Sequence, residues 1–302
     1  PPIAEAAAMG IPVWGDIELL AQLTQVPVAA ITGTNGKSTV TTLLGAMAEH
    51  TGVRAAVGGN LSPSALELWL HHEHSAVAAP DIYILELSSF QLETTHSLNT
   101  RVSTVLNISP DHMDRYDGLE EYIAAKQRIF RGNGTKVVNV DDPAVMTMVK
   151  PGQNILRFTL DVPGEGDFGL RREGSDTWLA RGSERWIAAA DLQISGDHNL
   201  ANALAALAMG HALGWRRKEM LAALREFTGL AHRTTLVMEH AGVRWFDDSK
   251  GTNVGATAAA VRGLPGTMVL IAGGDGKGQD FGPLREALAH TTRAVVLIGR
   301  DA

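Results

Sequence analysis

The sequence predicts an α/β protein whose central sheet is mainly parallel. Short apolar runs, each the length of a buried strand, recur along the first half of the chain, and helical or loop segments separate them at the spacing of crossover units. A glycine-containing turn and a helical pattern follow the first run. Strands connected in this way pair in parallel and carry helices on both faces of the sheet.

The elements of the first half are predicted in chain order. The first strand is expected at residues 28–32 and the helix after it at residues 38–50. Residues 154–194 are glycine-rich with short alternating stretches, which predicts antiparallel hairpins inserted into the fold. The remaining strands of this half are predicted at residues 53–57, 82–87, 102–108 and 136–140.

The second half of the chain is predicted to contain two further helices of the first unit and then another α/β unit. Residues 198–213 are rich in Ala and Leu and predict a helix, a second helix is expected at 218–227, and Gly229 ends this pattern. We therefore expect a domain boundary near Gly229, with a central domain at 16–229 and a C-terminal domain at 230–302. Strands are predicted at residues 235–238, 243–246, 268–272 and 294–298, and helices at residues 254–261 and 283–289.

Composition limits the possible functions. The 302 residues are 45% hydrophobic, which is enough for two domains with buried cores. A net charge of -7 argues against a nucleic-acid partner, and the apolar runs are far shorter than the roughly 20 residues that span a bilayer. The chain has no cysteine, so we expect a cytoplasmic protein without disulfides or thiolate chemistry. We also expect a monomer. It does not begin with Met, and we expect it to be the interior of a longer protein.

The turn after the first strand predicts a phosphate-binding site. Backbone N–H groups and the positive end of a helix dipole converge there, and glycines let the backbone approach an anion. Lys37 can reach phosphate oxygens, and a hydroxyl of Ser38 or Thr39 can ligate Mg²⁺. Ile31 stands where the strict motif has glycine, so the turn is a shortened variant, and the alternative is an ordinary strand-to-helix turn with a solvated lysine. The motif is Gly33-Thr34-Asn35-Gly36-Lys37-Ser38-Thr39.

Three further residues are candidate ligands or catalysts. Glu86 ends a predicted strand, where open α/β sheets place their ligands, and could hold Mg²⁺ or instead cap a helix or pair with an arginine. His112 follows the next strand and could be a ligand or a structural histidine. Lys126 lies on an otherwise apolar helix face, and a solvated or snorkelling lysine is the alternative that its spacing favours.

In order and spacing, these motifs resemble those of the Mur ligases, and the resemblance covers nearly the whole chain. It implies a central P-loop-type, mostly parallel sheet domain and a Rossmann-like C-terminal domain. Residues 1–15 would be the remnant of an N-terminal UDP-binding domain, with residues 10–13 as its last strand. Besides the phosphate turn, the resemblance rests on Leu85-Glu86-Leu87-Ser88-Ser89-Phe90-Gln91-Leu92, Asp111-His112-Met113-Asp114-Arg115-Tyr116, Lys126, Gly196-Asp197-His198-Asn199, His232-Arg233, Asp247-Asp248-Ser249-Lys250-Gly251-Thr252-Asn253 and Gly273-Gly274-Asp275-Gly276-Lys277.

The resemblance implies an ADP-forming ligase of peptidoglycan precursor synthesis that adds D-glutamate to UDP-N-acetylmuramoyl-L-alanine through an acyl phosphate. It implies ATP and two Mg²⁺ ions, with Lys37, Glu86, His112 and Lys126 as the catalytic residues. Ser38 and Glu86 would hold one ion, and His112 and a carbamylated Lys126 the other. The implied nucleotide contacts are the phosphate turn, Asn199, Asn202, Arg233 and Asp248; the implied substrate contacts are Asn60, Ser88, Lys250, Thr252 and Lys277.

Two alternatives stay open from the sequence. One is another amide ligase of the same superfamily, such as a folylpolyglutamate synthetase. The other is a nucleotide-binding module without catalysis, which would bind ATP but release no phosphate in response to substrates. The presence of Lys37, Glu86, His112 and Lys126 together favours an enzyme.

Overall fold

A computed structural model of the chain describes residues 2–75, 78–264, 266–276, 278–289 and 291–302. Within these ranges a nine-stranded sheet forms the centre of the molecule, in the order β2-β3-β1-β4-β5-β6-β7-β8-β9. Its strands are β1 (Val28–Thr32), β2 (Ala55–Gly59), β3 (Ile82–Glu86), β4 (Val102–Val105), β5 (Thr135–Asn139), β6 (Ile155–Phe158), β7 (Phe168–Glu173), β8 (Asp176–Arg181) and β9 (Glu184–Ala188).

The first six strands pair in parallel, which confirms the predicted fold class. Strand β1 is buried at every position because both faces of the sheet are covered. Its Ala29 and Ile31 face one hydrophobic core, and its Val28 and Ala30 face a second core on the opposite side. The carboxyl ends of β1, β3 and β4 therefore meet at one edge of the sheet.

The helices that cover this sheet lie on both faces. Helices α3, α8 and α9 pack over the first core, and α2 and α4 pack on the other side. The helices of this part are α1 (Pro2–Ala8), α2 (Asp16–Leu23), α3 (Lys37–Thr51), α4 (Ala65–His74), α5 (Ser89–Glu93), α6 (Leu119–Gln127), α7 (Pro143–Thr147), α8 (Asp197–Ala212) and α9 (Arg217–Glu226).

The hairpins predicted within residues 154–194 are present, but they are not a separate insertion. Strands β7, β8 and β9 pair antiparallel, and Phe158 of β6 pairs with Phe168 of β7. The hairpins thus extend one edge of the central sheet. A further expectation was also wrong: residues 10–13, predicted as a strand, are a turn and irregular backbone.

The C-terminal part contains the predicted strands and helices, with bounds shifted by a few residues. Strands β10 (Thr235–His240) and β11 (Val243–Asp247) form an antiparallel hairpin, and β12 (Met268–Gly273) pairs in parallel with β13 (Thr292–Ile298). Helices α10 (Val254–Gly263) and α11 (Gly282–Leu288) meet around Ala258, Val261 and Ala287. The domain boundary near Gly229 stays a prediction.

None of the helices in the described ranges is long and apolar enough to cross a lipid bilayer.

Candidate active site

The turn between β1 and α3 is held open by an asparagine from the neighbouring strand. Asn107 follows β4, and its Oδ1 accepts a hydrogen bond from the backbone N–H of Asn35 at 2.8 Å. The Nδ2 of Asn107 donates in return to the backbone oxygen of Asn35 at 3.1 Å. The N–H of Thr34 donates to the backbone oxygen of Asn107 at 2.9 Å. We call residues 33–36 the phosphate loop.

Gly36 is required by both its conformation and its surroundings. Its φ of 83° lies in the left-handed region, which glycine adopts without the strain of a side chain. A Cβ at this position would also lie 2.3 Å from Oδ1 of Asn202 on α8. The loop therefore packs directly against α8 at Gly36.

Lys37 begins α3 and bends back over the loop. Its Nζ donates to the backbone oxygens of Gly33 at 3.0 Å and of Thr34 at 2.9 Å. Burial lowers the pKa of this ammonium, while the nearby Glu86 carboxylate raises it and Arg233 lowers it. These two hydrogen bonds show that the ammonium of Lys37 is held by the loop and does not extend freely into solvent.

Glu86 ends β3 beside β1, in register with Ile31, and its side chain is almost fully buried. One carboxylate oxygen, Oε1, accepts a hydrogen bond from Nδ2 of Asn60 at 2.7 Å. The other, Oε2, is buried without a hydrogen-bond partner among the described residues. A buried carboxylate oxygen without a donor is costly unless a cation or a donor group meets it, so Glu86 is suited to hold a metal ion.

Lys126 of α6 is 2% exposed, which excludes the solvated alternative. Its Nζ donates to the backbone oxygen of Gly33 at 3.1 Å and to Oγ1 of Thr32 at 3.3 Å. The Nζ also lies 4.6 Å from the centre of the Tyr122 ring. Burial, and then the charge of Lys37, lower the pKa of Lys126 well below its ordinary value, against the opposite effects of Asp111 and Glu86.

His112 lies at the rim of the same region. Its backbone is in the left-handed conformation, its Nε2 is 3.7 Å from Oδ2 of Asp111, and its ring meets the Phe90 ring edge-on at 5.0 Å. No three His, Asp or Glu side chains in the described parts of the chain stand close enough to hold a metal ion by themselves. A metal ion here would therefore share its coordination with other oxygen donors, as Mg²⁺ does with phosphates.

Two hydroxyl groups of the predicted site have other contacts. The Oγ of Ser38 lies 3.4 Å from Nη2 of Arg233, so the start of α3 touches the segment after α9. Ser88 is the N-cap of α5, and its Oγ accepts a hydrogen bond from the N–H of Gln91 at 3.2 Å. The Ser88 hydroxyl is thus engaged in its own helix.

A cleft opens beside the phosphate loop. One wall comes from the central sheet and α8, and the other from the segment after Gly229 and from α10. Asp248 is fixed on this second wall because its Oδ1 accepts hydrogen bonds from the N–H of Thr234 at 2.8 Å and from its Oγ1 at 3.2 Å. The predicted nucleotide contacts that line this cleft are Asn35, Gly36, Thr39, Asn199, Asn202, Arg233 and Asp248.

The residues predicted to hold the amino acid lie after β11. The N–H of Lys250 donates to the backbone oxygen of His232, and the N–H of Thr252 donates to the backbone oxygen of Lys250, each at 3.1 Å. Both residues are exposed. Lys277, the third of this group, lies outside the described residues.

Sequence reasoning gave no role to two residues of this site. Asp111 is buried, and its charge raises the pKa of both Lys37 and Lys126. Asn107 holds the phosphate loop from both sides. Both lie in the segment after β4 that also carries His112, so a polar cluster at a strand end was the available signal.

Comparison with known proteins identifies the class of protein to which this chain belongs. Residues 31–210 match the Mur ligase middle domain. Among solved structures, MurF from Acinetobacter baumannii shares the fold with a TM-score of 0.72 at 21% identity, over 93% of this chain and 65% of that one. MurC from Thermotoga maritima gives a TM-score of 0.63 at 20% identity, over 99% and 68%. The chain belongs to the Mur ligase family.

Within the family, the chain has relatives that share about half of its residues. It is 55% identical to UDP-N-acetylmuramoylalanine--D-glutamate ligase of Nitrosococcus oceani, over the whole of this chain and 66% of that protein. It is 52% identical to the ligase of the same name from Pseudomonas syringae, over the whole chain and 67% of that protein. The chain thus spans about two thirds of the length of these relatives.

Proposed function

We propose that this protein joins D-glutamate to UDP-N-acetylmuramoyl-L-alanine, with conversion of ATP to ADP and phosphate, in the synthesis of a peptidoglycan precursor. The names of relatives at 55% and 52% identity support the substrates. One structural observation supports the chemistry above all others. The half-buried Lys37 and the buried Lys126 both donate to the backbone oxygen of Gly33 in the phosphate loop, and Oε2 of the nearby Glu86 has no hydrogen-bond partner among the described residues.

The reaction has two steps. An oxygen of the alanine carboxylate attacks the γ-phosphorus of ATP, and the bond from that phosphorus to the ADP oxygen breaks, which gives an acyl phosphate. The neutral amine of D-glutamate then attacks the acyl carbon, loses a proton, and phosphate departs. Lys37 and the positive end of the α3 dipole offset the negative charge of the transferred phosphoryl group, which is the main requirement of phosphoryl transfer.

The residues at this edge fit Mg²⁺. We propose that Ser38 and Glu86 hold one ion and that His112 and Lys126 hold a second. Bound Mg²⁺ would supply further neutralisation of phosphate charge. Oε2 of Glu86 is an oxygen ligand that no hydrogen bond from the described part of the chain engages.

Lys126 could not serve a cation as an ammonium, so we propose that it reacts as a neutral amine with CO₂ to form a carbamate. The ammonium first loses one proton to give the neutral amine, and addition of CO₂ to the nitrogen with loss of a second proton then gives an anion with two oxygens. The lowered pKa of Lys126 favours this step because it increases the fraction of neutral amine near neutral pH. Asp111 and Glu86 lie close enough to act on the charge of this side chain.

The remaining predicted contacts concern the nucleotide and the two other substrates. We propose that Asn199, Asn202, Arg233 and Asp248 contact the nucleotide, which agrees with their position along the cleft. Asn60 and Ser88 would meet the muramoyl-alanine part, and Lys250, Thr252 and Lys277 the D-glutamate. Two carboxylates on the amino acid call for cationic partners, which the lysines supply.

The proposal is tested by phosphate release from ATP in the presence of UDP-N-acetylmuramoyl-L-alanine and a panel of amino acids. We expect release with D-glutamate, and little with L-glutamate, L-lysine, diaminopimelate or L-alanine. Release with another member of the panel would assign the protein to a different ligase reaction. ATP binding without release in any combination would favour a module without catalysis.

A further inference from the structure

An amide pair connects the phosphate loop to the C-terminal part of the chain. Nδ2 of Asn253 donates to Oδ1 of Asn35 at 3.0 Å, and Nδ2 of Asn35 lies 3.4 Å from Oδ1 of Asn253. The two residues are 218 positions apart in sequence. Asn253 is buried, so little water competes for these hydrogen bonds.

Asn253 also determines where α10 begins. It is the N-cap of this helix, and its Oδ1 accepts a hydrogen bond from the N–H of Ala256 at 2.8 Å. The N–H of Val254, the first residue of α10, donates to Oε1 of Gln279 at 3.0 Å. The start of α10 is thus connected to the phosphate loop on one side and to the segment after β12 on the other.

The start of α10 is seated closely on the central part of the molecule. A Cβ built on Gly255 would lie 3.3 Å from Oγ of Ser109 and 3.6 Å from Nδ2 of Asn35. The Oγ of Ser109 is itself buried without a hydrogen-bond partner in the described residues. A shift of the phosphate loop at Asn35 would therefore be transmitted to α10 rather than absorbed by solvent.

We propose that Asn253 is a positioning residue that couples nucleotide binding at the phosphate loop to the segments that hold the acceptor amino acid. This inference rests on the proposed function, because it assigns the amino acid to residues around α10. The physical basis of the coupling is that Asn35 has two sets of contacts. Its backbone is bonded to Asn107 beside the sheet, and its side chain is bonded to Asn253. Coupling of two sites is reciprocal, so the amino acid should strengthen nucleotide binding through the same pair.

The chain allows this pair to be removed from each side separately. Asn35→Ala deletes the side chain that reaches Asn253 but keeps both backbone contacts with Asn107. Asn253→Ser deletes the amide but keeps a good N-cap for α10. Asn154→Ala is the matched control. It also removes a side-chain amide, whose Nδ2 donates an exposed hydrogen bond to Oγ1 of Thr135 at 2.8 Å, but at the amino ends of β5 and β6, opposite the phosphate loop.

The test measures hydrogen exchange of the backbone amides at residues 254–257, with and without the non-hydrolysable analogue AMP-PNP and Mg²⁺. In the unsubstituted protein and in Asn154→Ala, AMP-PNP should slow this exchange. In Asn35→Ala, in Asn253→Ser and in the double variant, the nucleotide-dependent change should be lost to the same extent. D-glutamate should also strengthen AMP-PNP binding, and each substitution should reduce that enhancement by about five- to tenfold.

Three results would overturn the inference: no change in exchange on AMP-PNP binding in the unsubstituted protein, an undiminished change in either variant, or additive losses in the double variant. The last would mean that Asn253 acts through something other than Asn35. Hydrogen exchange and phosphate release separate this inference from the proposed function. A normal exchange response without D-glutamate-dependent phosphate release would refute the function alone, and the reverse would refute only the coupling.

Discussion

At the scale of single residues, the central feature is that the buried Lys126 and the half-buried Lys37 donate to one backbone carbonyl, that of Gly33. Two cations placed together in a protein interior repel each other and lose hydration, so both favour the neutral form. The pKa of Lys126 is lowered by its burial and by Lys37, and that of Lys37 chiefly by burial. Such an arrangement is expensive without a function, and charge neutralisation of a phosphoryl group or conversion to a carbamate would give it one.

The carbamate role predicts the behaviour of Lys126→Ala. We expect this variant to lose at least about a hundredfold in activity, because charge stabilisation at the reacting groups is lost. Short-chain carboxylates such as acetate or propionate should restore part of the activity by supplying the missing oxygens. The measurement is phosphate release over a range of carboxylate concentrations.

Lys136→Ala is the control for this rescue. Lys136 is also buried, but its Nζ donates to the backbone oxygens of Gly132 and Gly134, each at 2.7 Å, away from the phosphate loop. Carboxylates should not raise the activity of this variant. Full activity of unrescued Lys126→Ala would refute the carbamate role.

The sequence offered candidate residues for the site but not the long-range contacts among them. Lys37, Glu86 and His112 could be named because they stand in short motifs that follow or end strands, whereas Lys126 on α6 was named through the family resemblance. The contact of Asn60 with Glu86 joins residues 26 positions apart, and that of Asn253 with Asn35 joins residues 218 apart. Neither follows from local periodicity, because only the folded sheet brings these side chains together.

At the scale of secondary-structure elements, predictions succeeded where the signal is local. The bounds of β1 and α3, on either side of the phosphate loop, were predicted to within one residue. The apolar run, the glycines and the helical pattern are contiguous in the sequence. The joining of the hairpins to the central sheet was missed. It depends on the pairing of Phe158 with Phe168, which no pattern within either strand specifies.

Helix α2 is attached to the body of the protein by a buried carboxylate. Glu18 accepts hydrogen bonds from the N–H groups of His96 at 2.6 Å and Ser97 at 2.9 Å. Burial raises the pKa of Glu18, but these hydrogen bonds outweigh burial and lower the pKa from 4.5 to about 2. Because the folded pKa is the lower one, the ionised group stabilises the native state above about pH 4.5, and this contribution is lost as pH falls towards 2.

Glu18→Gln should therefore lower the free energy of unfolding near pH 7 by up to about 3 kcal/mol. The difference from the unsubstituted protein should shrink below pH 4 and vanish near pH 2. Urea denaturation at several pH values measures it, with the exposed Glu49→Gln on α3 as a control that should change little. An equal destabilisation at pH 7 and pH 2 would show that the carboxylate charge is not the cause.

At the scale of the whole molecule, the cleft has walls from both sides of the predicted boundary near Gly229. Asn35 and Asn202 lie on one side, and Arg233 and Asp248 on the other. A nucleotide held by both walls would draw them together, so closure should be required for turnover.

Small-angle X-ray scattering tests this closure. Addition of AMP-PNP, Mg²⁺ and UDP-N-acetylmuramoyl-L-alanine should reduce the radius of gyration, because binding energy is gained only when both walls contact the ligands. The same ligands should cause a smaller reduction with Arg233→Ala, which removes a cation from one wall. An unchanged radius of gyration in the unsubstituted protein would argue against closure.

The most direct test of the account follows the oxygen atoms of the substrate carboxylate. If that carboxylate attacks ATP and the amine then displaces phosphate, one carboxylate oxygen must leave with the phosphate. With ¹⁸O in the alanine carboxylate of UDP-N-acetylmuramoyl-L-alanine, mass spectrometry of the phosphate released with D-glutamate should find one ¹⁸O atom per molecule. Unlabelled phosphate, formed at the same rate as the product, would contradict an acyl phosphate. It would also contradict the roles given to the phosphate loop, Lys37 and Lys126.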